Sequence, residues 1–407
     1  MNPPPSDEIY DYAFAGGGIA ALTMARAIVD SPKLGHRILI VDHQADSADD
    51  RTLSYFNAAP LAIDALARRS FDRLTFVAPG VHLDLPLTQY RYRSLRGLAY
   101  REDCRRRLAE CGTVTVLTGH VDQIVDDPAG AALLVEGRRH RARWVFDSRW
   151  QAARPALDRA DALVQRFVGW EIELDQPALD PTAARLFDFA GDGPPRFHYV
   201  LPFSERVALF ELVTFGAPAH ESELAVYIAK MLPGVGYRVL RREGGASLLT
   251  TARFVRQLGR RHIAIGVAGG LLRASTGYAL TRILKDTGAL VRALEANLPP
   301  LAHVRRSPVI RAFDGVFLRL AATRGELLPR VFAALFRNNP VERVLRFLDE
   351  RARFRDYVGL VFGMPKLLFL RALASWVGLR LGRVRPVQQA LEPRHARVPV
   401  TTRAVPS

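Results

Sequence analysis

Tyr12-Ala13-Phe14-Ala15-Gly16-Gly17-Gly18-Ile19-Ala20-Ala21 is a short apolar run, a glycine turn and the first residues of a helix-forming stretch. The apolar run has the length and composition of a buried strand. From Ile19 to Val29 apolar residues recur at spacings of three and four, the helical period. A second apolar run, Ile38-Leu39-Ile40-Val41, ends at Asp42. Strand, glycine turn, helix and strand together make one β-α-β unit of the kind that holds a dinucleotide. The Gly16-Gly17-Gly18 turn permits a tight bend and close backbone approach to a pyrophosphate, which then rests on the positive end of the helix. Ala21 takes the third position of the pattern, where a small residue lets helix pack on strand. Asp42 stands where a carboxylate accepts hydrogen bonds from ribose hydroxyls.

Far along the chain lies a second glycine-rich turn, Gly266-Val267-Ala268-Gly269-Gly270, which continues to Ser275-Thr276-Gly277-Tyr278. A buried strand, His262 to Ile265, enters it, and a helix from Tyr278 to Leu298 leaves it. Two such turns point to one extended cofactor, FAD, gripped at both ends. Gln165 to Asp175 and Phe197 to Val213 alternate apolar and polar residues, as strands of an antiparallel sheet do. Leu98 to Asp103 leads into an arginine-studded helix. Val114 to Val121 and Ala132 to Glu136 read as strands, and Arg143 to Arg149 as another. The Asp147-Ser148-Arg149 end of that strand fits a solvated turn or a site element equally well. Beyond Phe313 the pattern is helical throughout. The expected organisation is residues 1–150 as the first part of an FAD-binding domain and 151–255 as a sheet-built substrate domain. Residues 256–300 form the second part of the FAD domain, 301–390 a helical, membrane-facing region and 391–407 a disordered tail. The expected cofactor contacts are Gly16, Gly17, Gly18, Ala21, Asp42, Arg101, Gly269, Gly270, Thr276 and Gly277.

The net charge is +16, carried almost wholly by arginine, since only Lys33, Lys230, Lys285 and Lys366 are lysines. Such a balance reads either as a general arginine-rich bias of composition, with alanine about as frequent, or as attraction to anionic surfaces. No zinc spacing, helix-turn-helix pattern or aromatic RNA-binding strand accompanies it, so nucleic acid is not an expected partner. Phe354 to Leu381 is apolar, broken by Pro365 and dotted with Arg371 and Arg380. That pattern fits either a helix pair packed on the core or one that dips into lipid while its arginines meet headgroups. No uninterrupted run of about 18 apolar residues predicts a membrane span. The two cysteines, Cys104 and Cys111, make neither a disulfide framework nor a metal pattern. With a polar, proline-rich start to the chain, these features predict a cytoplasmic protein lying on the inner face of a membrane.

The chain resembles the lycopene cyclase family of flavoproteins, collinearly and over most of its length. The resemblance rests on the Gly16-Gly17-Gly18 unit, Arg51-Thr52-Leu53-Ser54-Tyr55-Phe56, Asp147-Ser148-Arg149, Gln165 to Glu171 and Phe187-Asp188-Phe189. It continues through Phe197-His198-Tyr199-Val200-Leu201-Pro202-Phe203-Ser204, Leu209-Phe210-Glu211, Ala268-Gly269-Gly270 and Ser275-Thr276-Gly277-Tyr278. Asp314 to Leu318 and Val344 to Leu348 extend it into the helical end. The Leu-Pro-Phe-Ser strand and the Ser-Thr-Gly-Tyr turn are its specific parts.

The resemblance implies an α/β FAD-binding fold (Rossmann-like, of the p-hydroxybenzoate-hydroxylase/glutathione-reductase type). An antiparallel β-sheet substrate domain and a C-terminal helical region complete that fold. It also implies acid-initiated, non-redox cyclisation of a polyene end group into an ionone ring, with FAD in its reduced form; NADPH is one candidate reductant, and the sequence does not name the donor. Glu211 is then the acid. It lies among Leu209, Phe210, Leu212 and Val213, although simple alternation leaves its direction open. Glu171 and Asp188 are next in line. Three departures stand out: Leu212-Val213-Thr214 follows Glu211 where the family has a second acid or a threonine, Leu53 stands for the usual tryptophan, and Ala274 for a proline. A flavin oxidoreductase, a divergent cyclase of another isoprenoid and a lapsed flavin- or lipid-binding protein are the competing readings.

Overall fold

The structure, a computed structural model, describes residues 9–43, 51–158, 160–189, 195–303 and 307–389. The expected 391–407 tail and most of the leading polar segment lie outside the described residues. Five parallel strands form the centre of the first sheet, in the order His262–Ala264, Arg138–Asp147, Ile9–Ala15, Ile38–Asp42 and Val114–Thr118. Gln257–Gly259 adds an antiparallel edge, and the ladder of Val121–Asp127 and Gly130–Val135 joins Arg138–Asp147 from one face. The near-continuous apolar runs Ala13 to Ala15 and Ile38 to Val41 are buried on both faces, as central parallel strands require. The Ile19–Val29 helix covers one face, packing Leu22, Met24 and Ile28 with Phe14 and Phe146. On the other face Ala13 and Leu39 meet Val121 and Leu133.

The second sheet has seven strands, in the order Tyr237–Thr250, Ala162–Leu174, Val207–Phe215, Arg196–Pro202, Ala183–Asp188, Arg73–Ala78 and Val81–Pro86. It is antiparallel except where Ala183–Asp188 pairs in parallel with Arg73–Ala78. The sheet of the 151–255 span is thus completed by a hairpin that the chain has already made within the 1–150 span. The alternating stretch from Phe197 to Val213 is two strands joined by a turn. Among the described residues the helical end comprises Pro308–Arg324, Leu328–Arg337, Val341–Leu348, Phe354–Gly363 and Lys366–Arg380. It opens on Ser307, whose Oγ accepts from the Ile310 N–H at 3.3 Å, with Pro308 at the first helical position. Phe332 packs its ring 4.8 Å from that of Phe187, so the helices lie on the second sheet with an apolar space between. The last two helices meet at Pro365 and bend by 113°. No single helix among the described residues is long and apolar enough to cross a membrane.

Candidate active site

The two glycine turns, far apart in the chain, touch. Gly266 has φ +61°, and a Cβ built on it would stand 2.6 Å from Ala20 Cβ, so bare backbone lets the second turn rest on the first helix. Ser148 Oγ donates to the Ala15 carbonyl at 3.1 Å, and a Cβ on Gly16 would meet that hydroxyl at 2.7 Å. Asp147 accepts from Arg149 at its backbone N–H and through Nε and Nη2, at 3.0, 3.0 and 2.8 Å. Asp147-Ser148-Arg149 is therefore a brace behind the first turn. A Cβ on Gly17 would lie 2.6 Å from Asp42 Oδ2, whereas one on Gly18 would meet nothing within 4 Å. No side chain caps the Ile19–Val29 helix, which leaves its first N–H groups suited to an anion. Gly17→Val is expected to displace Asp42 and abolish flavin retention, measured as flavin absorbance that co-elutes with the protein on gel filtration.

The second turn divides its glycines between packing and lining. A Cβ on Gly269 would press on the Ala264 carbonyl at 2.8 Å, and one on Gly270 on the Phe254 ring at 2.7 Å. Both glycines allow close packing there, and neither is among the residues that line the cavity. Thr276 and Gly277 do line it, together with Ile19, Gly97 and Arg101. Ser275 also lines it, with its Oγ buried and unpartnered. Gly277 has φ +71° and packs against the Gln165 amide, fastening the turn to the second sheet. Ala21, in the first turn of the helix, is fully buried.

From this end the cavity, about 450 Å³, runs between the second sheet and the helices. Phe187, Phe189, Phe197 and Phe332 form an aromatic cluster along it, with Phe187 and Phe197 centroids 4.8 Å apart. Its far wall is Met364, Pro365, Leu368, Phe369 and Ala372, the inner side of the bent helix pair. Glu211 lies between the two ends, buried and part of the lining. Burial first, then the negative charge of Glu243, raises its pKa well above the ordinary carboxylate range. Tyr199 pairs with it across the strands and also lines the cavity. Tyr92 Oη and Tyr278 Oη are 3.0 Å apart nearby, and burial pushes the Tyr92 hydroxyl up to about 12. Burial and the Glu243 charge thus favour the protonated form of Glu211, among phenols that burial also keeps protonated.

The other two acids do different work. Glu171 accepts from Arg68 at 2.7 Å and from Arg241 at 3.3 Å; despite the opposing effect of burial, those cations hold its pKa below the ordinary value. Asp188 accepts from Arg185 and from the Tyr227 hydroxyl, at 2.7 and 2.8 Å. Tyr227 in turn stacks on His198, which burial pushes down to about 4. Both acids are ion-paired or hydrogen-bonded supports.

Residues 11–374 match the sequence profile of the family described as lycopene cyclase protein. The chain belongs to the lycopene cyclase family. Among curated proteins none matches it significantly. Of solved structures, it is similar to a flavoprotein/dehydrogenase from Cytophaga hutchinsonii, with a TM-score of 0.61 at 14% identity over 92% of this chain and 100% of that one. It is also similar to a geranylgeranyl bacteriochlorophyll reductase-like protein from Thermoplasma acidophilum, with a TM-score of 0.57 at 15% identity, over 91% and 99% of the two chains. A flavin-dependent halogenase from Xanthomonas campestris gives 0.55 at 14% identity, over 94% and 100%. These likenesses show the fold: mixed α/β sheets of flavin-dependent enzymes with a helical C-terminal region. In this member of the lycopene cyclase family, sequence reading missed Glu243, Thr52 and Arg241 as site residues. Thr52 lay in a motif that carried the resemblance, and that was its one signal.

Proposed function

We propose that this chain is a lycopene-type carotenoid cyclase, which closes a linear polyene end group into an ionone ring with no net oxidation or reduction. The observation that carries this reading is Glu211, a carboxyl buried in the wall of an apolar cavity, where burial and the neighbouring Glu243 raise its pKa. Protonating an alkene makes a tertiary carbocation, a neighbouring double bond attacks it, and loss of a proton restores neutrality. Glu211 holds the proton that starts this sequence. The aromatic rings along the cavity exclude water and offer π faces to the cation. FAD fits the residues present: an uncapped helix N-terminus behind Gly18, Asp42 at the second strand end, and unpartnered Ser275 Oγ at the cavity. Bound in its reduced, anionic form, with NADPH as the proposed reductant, it supplies a fixed negative charge. Expression in a host that accumulates lycopene tests the reading. Monocyclic or bicyclic pigments are expected; an oxygenated or reduced pigment favours a flavin oxidoreductase instead, and unchanged lycopene a binding protein.

The same reading includes a substrate drawn from lipid and a protein peripheral on the inner face of a membrane. The bent helix pair supports it. Its inner side walls the cavity, while Phe354, Phe362, Leu367, Leu370 and Leu381 on its outer side are 83, 69, 62, 58 and 59% exposed. Arg355, Lys366 and Arg371 are exposed among them. Arg311 is held below its ordinary pKa by burial and by the neighbouring cations Arg253 and Arg380, a cluster suited to anionic headgroups. Phe362→Asp combined with Leu370→Asp is expected to cut co-flotation with anionic liposomes at least about tenfold, since burying each side chain is worth roughly 1.5–3 kcal/mol. Unchanged flotation contradicts docking through this face.

A further inference from the structure

Four adjacent strands place Glu243, Gly169, Glu211 and Tyr199 in one row across the second sheet. Directly opposed residues share a sheet face, so the two glutamates face each other over a residue without a side chain. A Cβ on Gly169 would stand 3.1 Å from Glu243 Cγ and 3.3 Å from Glu211 Oε2. The missing side chain is the room in which the carboxyls meet.

The two ends of the pair differ. Glu243 Oε2 accepts from the Thr52 N–H at 2.9 Å, from Thr52 Oγ1 at 3.0 Å and from Arg241 Nη1 at 2.5 Å. Its other oxygen, Oε1, is buried with no hydrogen-bond donor. Glu211 makes no ion pair among the described residues, although the Tyr199 hydroxyl and, from a distance, Arg241 both oppose the rise in its pKa. It lines the cavity, which Glu243 does not. Donors and a cation converge on Glu243 Oε2, whereas Oε1 has no donor, and the Glu211 carboxyl across Gly169 is the group placed to supply one.

We propose that Glu211 and Glu243 share a single proton, with Glu243 as the positioning residue that keeps Glu211 charged with it. This rests on the cyclase reading of Glu211. In the cycle the Glu211 O–H bond breaks and a C–H bond forms on the alkene. Two carboxylates are then left side by side in a dry site, an arrangement that strongly favours proton recapture. When the ring carbocation loses its proton to form the double bond, the pair takes one proton back, so protons balance and no electrons are exchanged.

The test compares the reduced holoenzyme with Glu243→Gln, which keeps an acceptor for the Thr52 N–H, and with Glu243→Asp. Removing the neighbouring charge lowers the Glu211 pKa. The alkaline limb of the cyclisation rate is therefore expected to fall by about one pH unit or more, with the loss concentrated on the alkaline side and Glu243→Asp partly restoring it. The protonated-carboxyl stretch in the infrared, assigned by its loss in Glu211→Gln, reads the pair without turnover. It is expected at neutral pH in the wild type, and as pH is raised it is lost at a lower pH in Glu243→Gln than in the wild type. A rate lowered equally at every pH with an unmoved infrared band overturns the pair while leaving the cyclase reading intact. A band that shifts as expected in a protein that cyclises no polyene leaves the pair standing and overturns the cyclase reading.

Discussion

Glu211→Gln is expected to slow ring closure by about a thousandfold, the middle of the range for loss of a general acid, with flavin content unchanged. Glutamine matches the neutral acid in shape and charge, so the packing against Tyr199 is kept and only the transferable proton is lost. Single-turnover conversion of polyene by the reduced enzyme measures the loss directly. The same substitution also alters the pH dependence of stability. A carboxyl whose pKa is raised by folding contributes stability that is fully present below its unfolded pKa and lost as pH rises through its folded pKa. Relative to Glu211→Gln, the wild type therefore loses stability as pH rises from the ordinary carboxylate range. Denaturant midpoints at a series of pH values check that slope.

Arg256→Ala is expected to destabilise the fold by about 3–5 kcal/mol, the typical effect of breaking a buried ion pair from one side. Arg256 makes two parallel hydrogen bonds to Asp286, both at 2.8 Å, and its Nε donates to the Ala264 carbonyl at 3.2 Å. Both side chains are more than nine-tenths buried. The substitution leaves Asp286 buried without its cation and loosens the strand that enters the second glycine turn. Flavin loss should accompany or precede global unfolding, which paired flavin-fluorescence and circular-dichroism melts would resolve. Coincident transitions at the wild-type temperature contradict this role.

The flavin-type fold was legible because its signals are local. Strand, turn, helix and strand follow one another from Tyr12 to Asp42, and each takes the shape its own residues favour. The second turn was legible too, but the close packing of Gly269 on Ala264 and of Gly270 on Phe254 is not something composition reveals. The parallel pairing of Arg73–Ala78 with Ala183–Asp188 is long-range, and no periodicity within either strand encodes it. Alternation failed around Glu211 because its strand is covered on both sides. Phe210 and Leu212 face the Glu221–Met231 helix, while Leu209 and Val213 join the core beside the cavity. Glu243 was hidden among Arg241, Arg242 and two glycines, a stretch that reads as solvated. Only strand register across Gly169 brings it to Glu211.

Turnover of lycopene by the purified, flavin-loaded and reduced protein in deuterated water tests the central claim most directly. Acid-initiated closure adds the Glu211 proton, which exchanges with solvent between turnovers, and releases a different one from the substrate. The expected product in ordinary water is an isomer of the substrate, in deuterated water it gains one deuterium per ring, and NADPH is not consumed in proportion to product. A product that differs from the substrate by two hydrogens or an oxygen atom, formed with stoichiometric NADPH oxidation, would contradict it.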